Sequence, residues 1–113
     1  LNGTVRDSMA GADALVLLKE CGNAVGALWY EALGDDVDSM YVRGLYTAPE
    51  IRGRGGGRAL LRYLSSEVAS PQGYRRVILD APERAVGFYR KMNFQVKPTS
   101  SCGMFECEKR VPR

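Results

Sequence analysis

The 113-residue sequence predicts an α/β (α+β) fold: a mixed, mostly antiparallel sheet flanked by helices, in the order β-β-β-α-β-α-β-β. Three observations predict it. Two apolar, strand-like segments flank a tight turn early in the chain, the pattern of a hairpin. Two later segments repeat their apolar residues at helical spacing. Between those two lies a short apolar run, RRVILDA, which reads as a buried strand.

The opening LNGTVRDSMAGAD (1–13) holds turn and cap residues without a clear period and is expected to be an irregular arm. ALVLLKE (14–20) and AVGALWYEAL (24–33) flank Cys21-Gly22-Asn23, and are expected to pair across a tight Gly-Asn turn. Ala and Leu in the first segment also suit a helix, but its strand-like partner favours the hairpin. GDDVD (34–38) is a polar loop. SMYVRGLYT (39–47) carries Tyr, Val and Thr and stops at Ala48-Pro49, giving a third strand.

GRALLRYLSSEVAS (57–70) places Leu60, Leu61, Leu64 and Val68 on one helical stripe, with Arg58, Arg62, Ser65, Ser66 and Glu67 outside it. Pro71 and Gly73 stop that helix. RRVILDA (75–81) is the buried strand. PERAVGFYRKMNF (82–94) opens with Pro and Glu in a first turn, and its apolar side is Ala85, Val86, Phe88, Tyr89 and Met92. FQVKPTS (94–100) and SCGMFECEKRV (101–111) close the chain as two strands, with Cys102-Gly103 near the turn. There is no internal repeat.

A chain of this length is expected to be one domain, 1–113, with a single core. Its 45% hydrophobic and 26% charged residues are those of a globular protein, and no apolar run approaches the ~18 residues of a membrane helix. The opening residues lack the n-region and h-region pattern, so no signal peptide is expected, and three cysteines without C-x-x-C spacing point to a reducing cytoplasm rather than to disulfides or zinc. Cys102 and Cys107 lack the spacing of a redox pair. Histidine is absent, which removes Ser-His and Cys-His nucleophiles and most catalytic metal sites. The net charge of +3 suits a small anionic ligand, and twelve of the sixteen basic residues are Arg, whose fork fits phosphate.

Residues 51–61 read IRGRGGGRALL, with four glycines and three arginines between Arg52 and Arg58. A strand, a Pro-Glu turn, a glycine-rich loop and a helix make a phosphate site. The helix start has unpaired N–H groups, and glycines let the backbone approach an anion. Arg52, Arg54 and Arg58 add charge-assisted bonds, each on the order of 1.5–3 kcal/mol. The P-loop is excluded, since no Lys occurs between Lys19 and Lys91, and a G-x-G-x-x-G fingerprint fails because Arg58 takes its last position. A disordered arginine–glycine RNA tract would need repetition, and here an amphipathic helix follows at once.

The remaining pattern is [Q/R]-x-x-G-x-[G/A], met by Arg52, Gly55 and Gly57. With LYTAPE before it and RALL after it, the stretch resembles the acetyl-CoA loop of the GNAT N-acetyltransferase family. AVGFYRKMNF (85–94) resembles that family's A-x-x-F-Y-x-K-x-G-F helix, with Asn93 in place of Gly. The resemblance covers residues 13–110. It implies an acyl-CoA N-acyltransferase fold, splayed so that coenzyme A enters between two strands. It also implies acetyl-CoA as cosubstrate without a metal, a primary amine as acceptor, and direct attack in a ternary complex. No membrane or nucleic-acid partner is expected; a non-catalytic coenzyme A- or RNA-binding module is the alternative.

By the same resemblance, backbone groups of Leu45, Tyr46 and Thr47 bind the pantetheine arm. The loop of Arg52, Gly53, Arg54, Gly55, Gly57 and Arg58 binds the pyrophosphate, and Tyr89 protonates the leaving sulfur. Many relatives carry a Glu on the strand before the loop; the matching position here is Tyr41, so the base stays open between Glu31, Asp38 and a water relay. The family's first strand and two helices are not recognisable before the hairpin. This leaves a truncated chain, consistent with Leu1 in place of Met, or a minimal member that borrows a wall from a second subunit in a homodimer. Arg75-Arg76 adds to the positive field, and Trp29 and Tyr30 point to opposite strand faces, one of them into the core.

Overall fold

The computed structural model describes residues 4–10, 13–32, 38–98 and 103–111. The strands are β1 (Thr4–Ala10), β2 (Asp13–Glu20), β3 (Asn23–Ala32), β4 (Ser39–Thr47), β5 (Arg76–Pro82), β6 (Gln95–Pro98) and β7 (Met104–Arg110). The helices are α1 (Gly56–Tyr63) and α2 (Glu83–Lys91). Among the described residues, seven strands form one sheet in the order β1-β2-β3-β4-β5-β7-β6. Among the described residues only the β4–β5 pair is parallel, so the sheet is mixed and mostly antiparallel, as predicted. No helix among the described residues is long and apolar enough to cross a membrane.

The expected element order gains one strand. Thr4–Ala10, expected as an irregular arm, pairs antiparallel with β2 from Thr4 opposite Lys19 to Ala10 opposite Asp13. An edge strand takes its register from its partner, a non-local cause that the local pattern TVRDSMA does not carry. The polar loop at 34–37 and the segment 99–102 lie outside the described residues.

The first hairpin also turns one residue earlier than expected. Glu20 stands opposite Asn23, so the central residues are Cys21 and Gly22, at φ +52° and +82°. Positive φ at both centres is the type I′ geometry that matches the twist of a two-residue hairpin. Cys21 is an exposed residue in a backbone region that favours Asn or Gly. Cys21→Asn should therefore stabilise the domain by about 1 kcal/mol, read as a rise of roughly 4 °C in Tm.

A single core takes one face of the sheet and both helices. Val16, Leu18, Leu28, Tyr30, Met40, Val42, Leu79 and Cys107 face Leu60, Leu64 and Val68 from the first helical segment and Met92 and Phe94 after α2. α1 continues without a break into a π-helical segment, Leu64–Ala69, marked by the Ser70 N–H bond to the Ser65 carbonyl at 3.0 Å. The wider turn keeps residues four apart in line, so Leu60, Leu64 and Val68 form one row and Leu61, Ser65 and Ala69 another. Ser65, expected outside the apolar stripe, is consequently buried.

Two irregularities position the site. β4 pairs with β5 only from Ser39 opposite Arg76 to Tyr41 opposite Ile78, and Val42–Thr47 has no partner on β5. The sheet thus forks. On its other side β4 pairs with β3, where Trp29 meets Gly44 and Tyr30 meets Val42, which leaves Arg43 as an extra bulged residue. Past the bulge Leu45 and Thr47 share the core face, opposite Leu28 and Gly26, and Tyr46 turns outward.

Candidate active site

The loop after β4 is tied down before it turns. A 3₁₀ turn at Pro49–Ile51 buries Ile51, whose carbonyl accepts the Arg54 N–H at 3.1 Å. Gly53 and Gly55 then adopt φ +84°, a conformation that costs an L-residue roughly 1–2 kcal/mol. Gly55 is the N-cap of α1, and its carbonyl receives the Ala59 N–H at 3.0 Å. The N–H groups of Gly56, Gly57 and Arg58 come too early in the helix to have a helical acceptor.

The other two glycines let elements touch. A Cβ on Gly56 would stand 3.1 Å from Thr47 Cγ2 and 3.2 Å from both Ile51 Cδ1 and Leu18 Cδ2, so α1 begins directly against the sheet. A Cβ on Gly57 would lie 3.1 Å from Phe88 Cζ, bringing α2 to the other side of the loop.

Between these elements lies an open cleft of ≈ 570 Å³ at the unpaired end of β4. Of the residues singled out from sequence, it brings together Leu45, Thr47, Arg52, Gly53, Gly55, Gly57 and Arg58. Arg52 Nε donates to the Thr47 carbonyl at 3.2 Å, and its guanidinium lies 5.8 Å from the Tyr46 ring. Tyr46 itself is 49% exposed on the opposite face, and Arg54 reaches Glu20 at 3.2 Å instead of the cleft. Sequence reasoning missed Ile51, Gly56 and Phe88 as lining residues. Gly56 lay inside the glycine run, and Phe88 was assigned only to the apolar side of its helix.

Tyr89 follows Phe88 on α2 and is half-buried. Its ring meets Phe88 edge-on at 5.1 Å and Phe94 at 5.5 Å. Burial, and secondarily Cys107, raise its hydroxyl pKa above the ordinary value of 10.0. The end of α2 explains Asn93. Phe94 N–H bonds the Tyr89 carbonyl and Asn93 N–H the Arg90 carbonyl, each at 3.0 Å, a Schellman closure with Asn93 at φ +69°. The Tyr89–Phe94 ring contact is the apolar contact that accompanies this motif. Asn93→Gly should keep the urea midpoint, whereas Asn93→Val should lower stability by about 1–2 kcal/mol.

On the open face of the sheet, at the fork, Tyr41 donates its hydroxyl to Asp80 Oδ2 at 2.6 Å. The bond to Asp80 first, and burial second, push the Tyr41 pKa up to about 12. Glu31 is ion-paired with Arg43 at 3.1 Å. Asp38 precedes β4, where its carbonyl accepts N–H groups of Arg75 and Arg76 at 2.8 and 3.1 Å. Asp80 was missed in the sequence because a single acid in the run RRVILDA reads as the solvated end of a buried strand.

A family model described as an acetyltransferase (GNAT) domain matches residues 11–96. The chain belongs to the GNAT acetyltransferase family. It is 34% identical over 73 residues to serotonin N-acetyltransferase 2, chloroplastic, of Oryza sativa subsp. japonica. The match covers 65% of this chain and 36% of the rice enzyme, so the chain spans little more than a third of that relative. In fold it resembles a GNAT family acetyltransferase from Elizabethkingia anophelis solved with acetyl-CoA bound. There the TM-score is 0.79 at 15% identity, over 97% of this chain and 99% of that one. An aminoglycoside 6'-N-acetyltransferase solved with coenzyme A gives a TM-score of 0.78 at 17% identity, over 91% of this chain and 76% of the other. These two likenesses establish the GNAT fold, and with it the family fold expected from the glycine loop and the AVGFYRKMNF helix.

Proposed function

We propose that this GNAT domain transfers an acetyl group from acetyl-CoA to a primary amine by direct attack in a ternary complex. The observation that carries the reading is the forked sheet whose unpaired β4 edge runs into a glycine loop at the start of a helix. The amides of Gly53 to Arg58, with Arg52 and Arg58, receive the pyrophosphate, since such donors and charges are what a phosphate binds. The free edge of β4 from Val42 to Thr47 offers N–H and C=O groups to the amide-containing pantetheine arm, as an edge strand does to a peptide. Arg54, bound to Glu20, stabilises the loop from outside.

The chemistry then needs an oxyanion donor, a deprotonated amine and an acid for the departing thiolate. A β4 amide beyond the fork serves as the first, and Tyr89, kept protonated by its burial, as the acid. Family membership and the N-acetyltransferase names of the rice and aminoglycoside relatives support an amine as the acceptor. The test is thiol release from acetyl-CoA with and without primary amines. Release that depends on the amine is the expected result; tight acetyl-CoA binding with no amine-dependent release would make the domain a coenzyme A-binding module.

A further inference from the structure

The face of the sheet turned away from the helices holds a second cluster at the fork, and its meaning rests on the acetyl-transfer reading above. Tyr41 and Ile78 are the last paired residues of β4 and β5, and Asp80 stands two residues beyond Ile78 on the same face. The 2.6 Å bond from Tyr41 to Asp80 therefore spans the strands just where they part. Tyr41 is fixed from behind. Arg43 lies 6.0 Å from its ring, and Arg43 is ion-paired with Glu31, the β3 residue registered opposite Tyr41. Asp80 is exposed, so its carboxylate can take a further partner from solvent.

The surrounding charges say which partner fits. Glu106 on β7 is registered directly opposite Asp80, and like charges so placed repel. On β6, Lys97 stands opposite Glu106 on its other side. Arg43 is taken by Glu31, and Arg76 pairs with Glu108 at 2.9 Å. From α2, Arg90 acts on the Cys107 thiol against Asp80 and Glu106. The fork thus presents an anionic spot within a chain of net charge +3, and a cation settling beside Asp80 relieves the repulsion with Glu106.

We propose that Asp80 is the acceptor's anchor and general base, with Tyr41 as its positioning residue. The Asp80 carboxylate pairs with the primary ammonium of the acceptor and takes one of its protons, passing it to solvent. The freed nitrogen attacks the thioester carbon through the fork. The N–C bond forms, the C–S bond breaks, the nitrogen loses its second proton to Asp80, which passes it to solvent in turn, and the thiolate takes the Tyr89 proton, which solvent restores. One proton is released for each amide and free thiol formed. Tyr41, with its hydroxyl pKa near 12, stays a donor to Asp80 at working pH and does not compete as a base. The acceptor class is a primary alkylammonium arriving from the face opposite the glycine loop.

The experiment compares wild type, Asp80→Asn, Asp80→Glu and Tyr41→Phe, with phenethylamine and spermidine as acceptors. Thiol release is followed from pH 6 to 9, alongside calorimetric titration with acetyl-CoA. In Asp80→Asn, acetyl-CoA affinity should be unchanged and kcat should fall about 10²-fold at pH 7. Its residual rate should climb about tenfold per pH unit as free amine forms in solution, where wild type levels off. Asp80→Glu should recover part of the rate. Tyr41→Phe should lose roughly tenfold in kcat with the KM for acetyl-CoA unchanged, because the carboxylate is no longer held at the fork by the 2.6 Å bond. Wild-type kinetics in Asp80→Asn would overturn the proposal, as would loss of its acetyl-CoA binding. Wild type that binds acetyl-CoA yet acetylates neither amine would also overturn it. Wild type that fails to bind acetyl-CoA would overturn the site assignment beneath it as well.

Discussion

Gly57→Glu is expected to abolish acetyl-CoA binding while leaving the domain folded. Gly57 sits in the first turn of α1, and any side chain there grows toward Phe88 and into the cleft. Its backbone is not in the left-handed region, so folding loses little beyond the shift of a Phe88 ring that is itself 40% exposed. The added carboxylate stands where a pyrophosphate is to bind. Two like charges about 4 Å apart near a protein surface repel by roughly 4 kcal/mol, on the order of a 10³-fold loss in affinity. Gly57→Ala separates bulk from charge and should weaken binding far less. Calorimetry with circular dichroism as the folding control decides it; wild-type affinity in Gly57→Glu would move the pyrophosphate away from the loop.

Tyr89→Phe should lower kcat by about 10² or more with acetyl-CoA affinity nearly unchanged, the loss of a general acid without loss of a binding contact. Phenylalanine keeps both edge-on ring contacts, to Phe88 and Phe94, so packing is preserved. The pH dependence carries a sign. Because burial raises the Tyr89 pKa, the acid form persists past the ordinary value of 10.0, and activity should be lost only as pH rises above it. In the phenylalanine variant that alkaline loss should disappear. An unaltered kcat would leave Tyr89 a packing residue on the core.

Much of the fold was legible because its signals are local. The apolar spacing of α1 with its π-helical extension, the Pro-Glu start of α2 and the residue types of SMYVRGLYT predict elements within three residues of those observed. The glycine loop was legible for the same reason. The rest depended on partners far away in sequence. β1 exists through its pairing with β2, and Asp80 gains its meaning from Tyr41, 39 residues earlier. A turn of Cys-Gly rather than Gly-Asn follows from strand register, and Ser65 is buried because the helix widens beyond Leu64. Composition announces neither.

The bulged Arg43 sets the parity of everything after it on β4. Pair the same residues without the bulge and Gly44 and Tyr46 would take the core face, while Leu45 and Thr47 would turn away from the cleft. How that one inserted residue is accommodated, rather than the side chains themselves, therefore decides which of them the cleft receives. A chain lacking Arg43 would form a regular ladder with the same residues toward the cleft, but without the local bend that a bulge gives the strand at the fork.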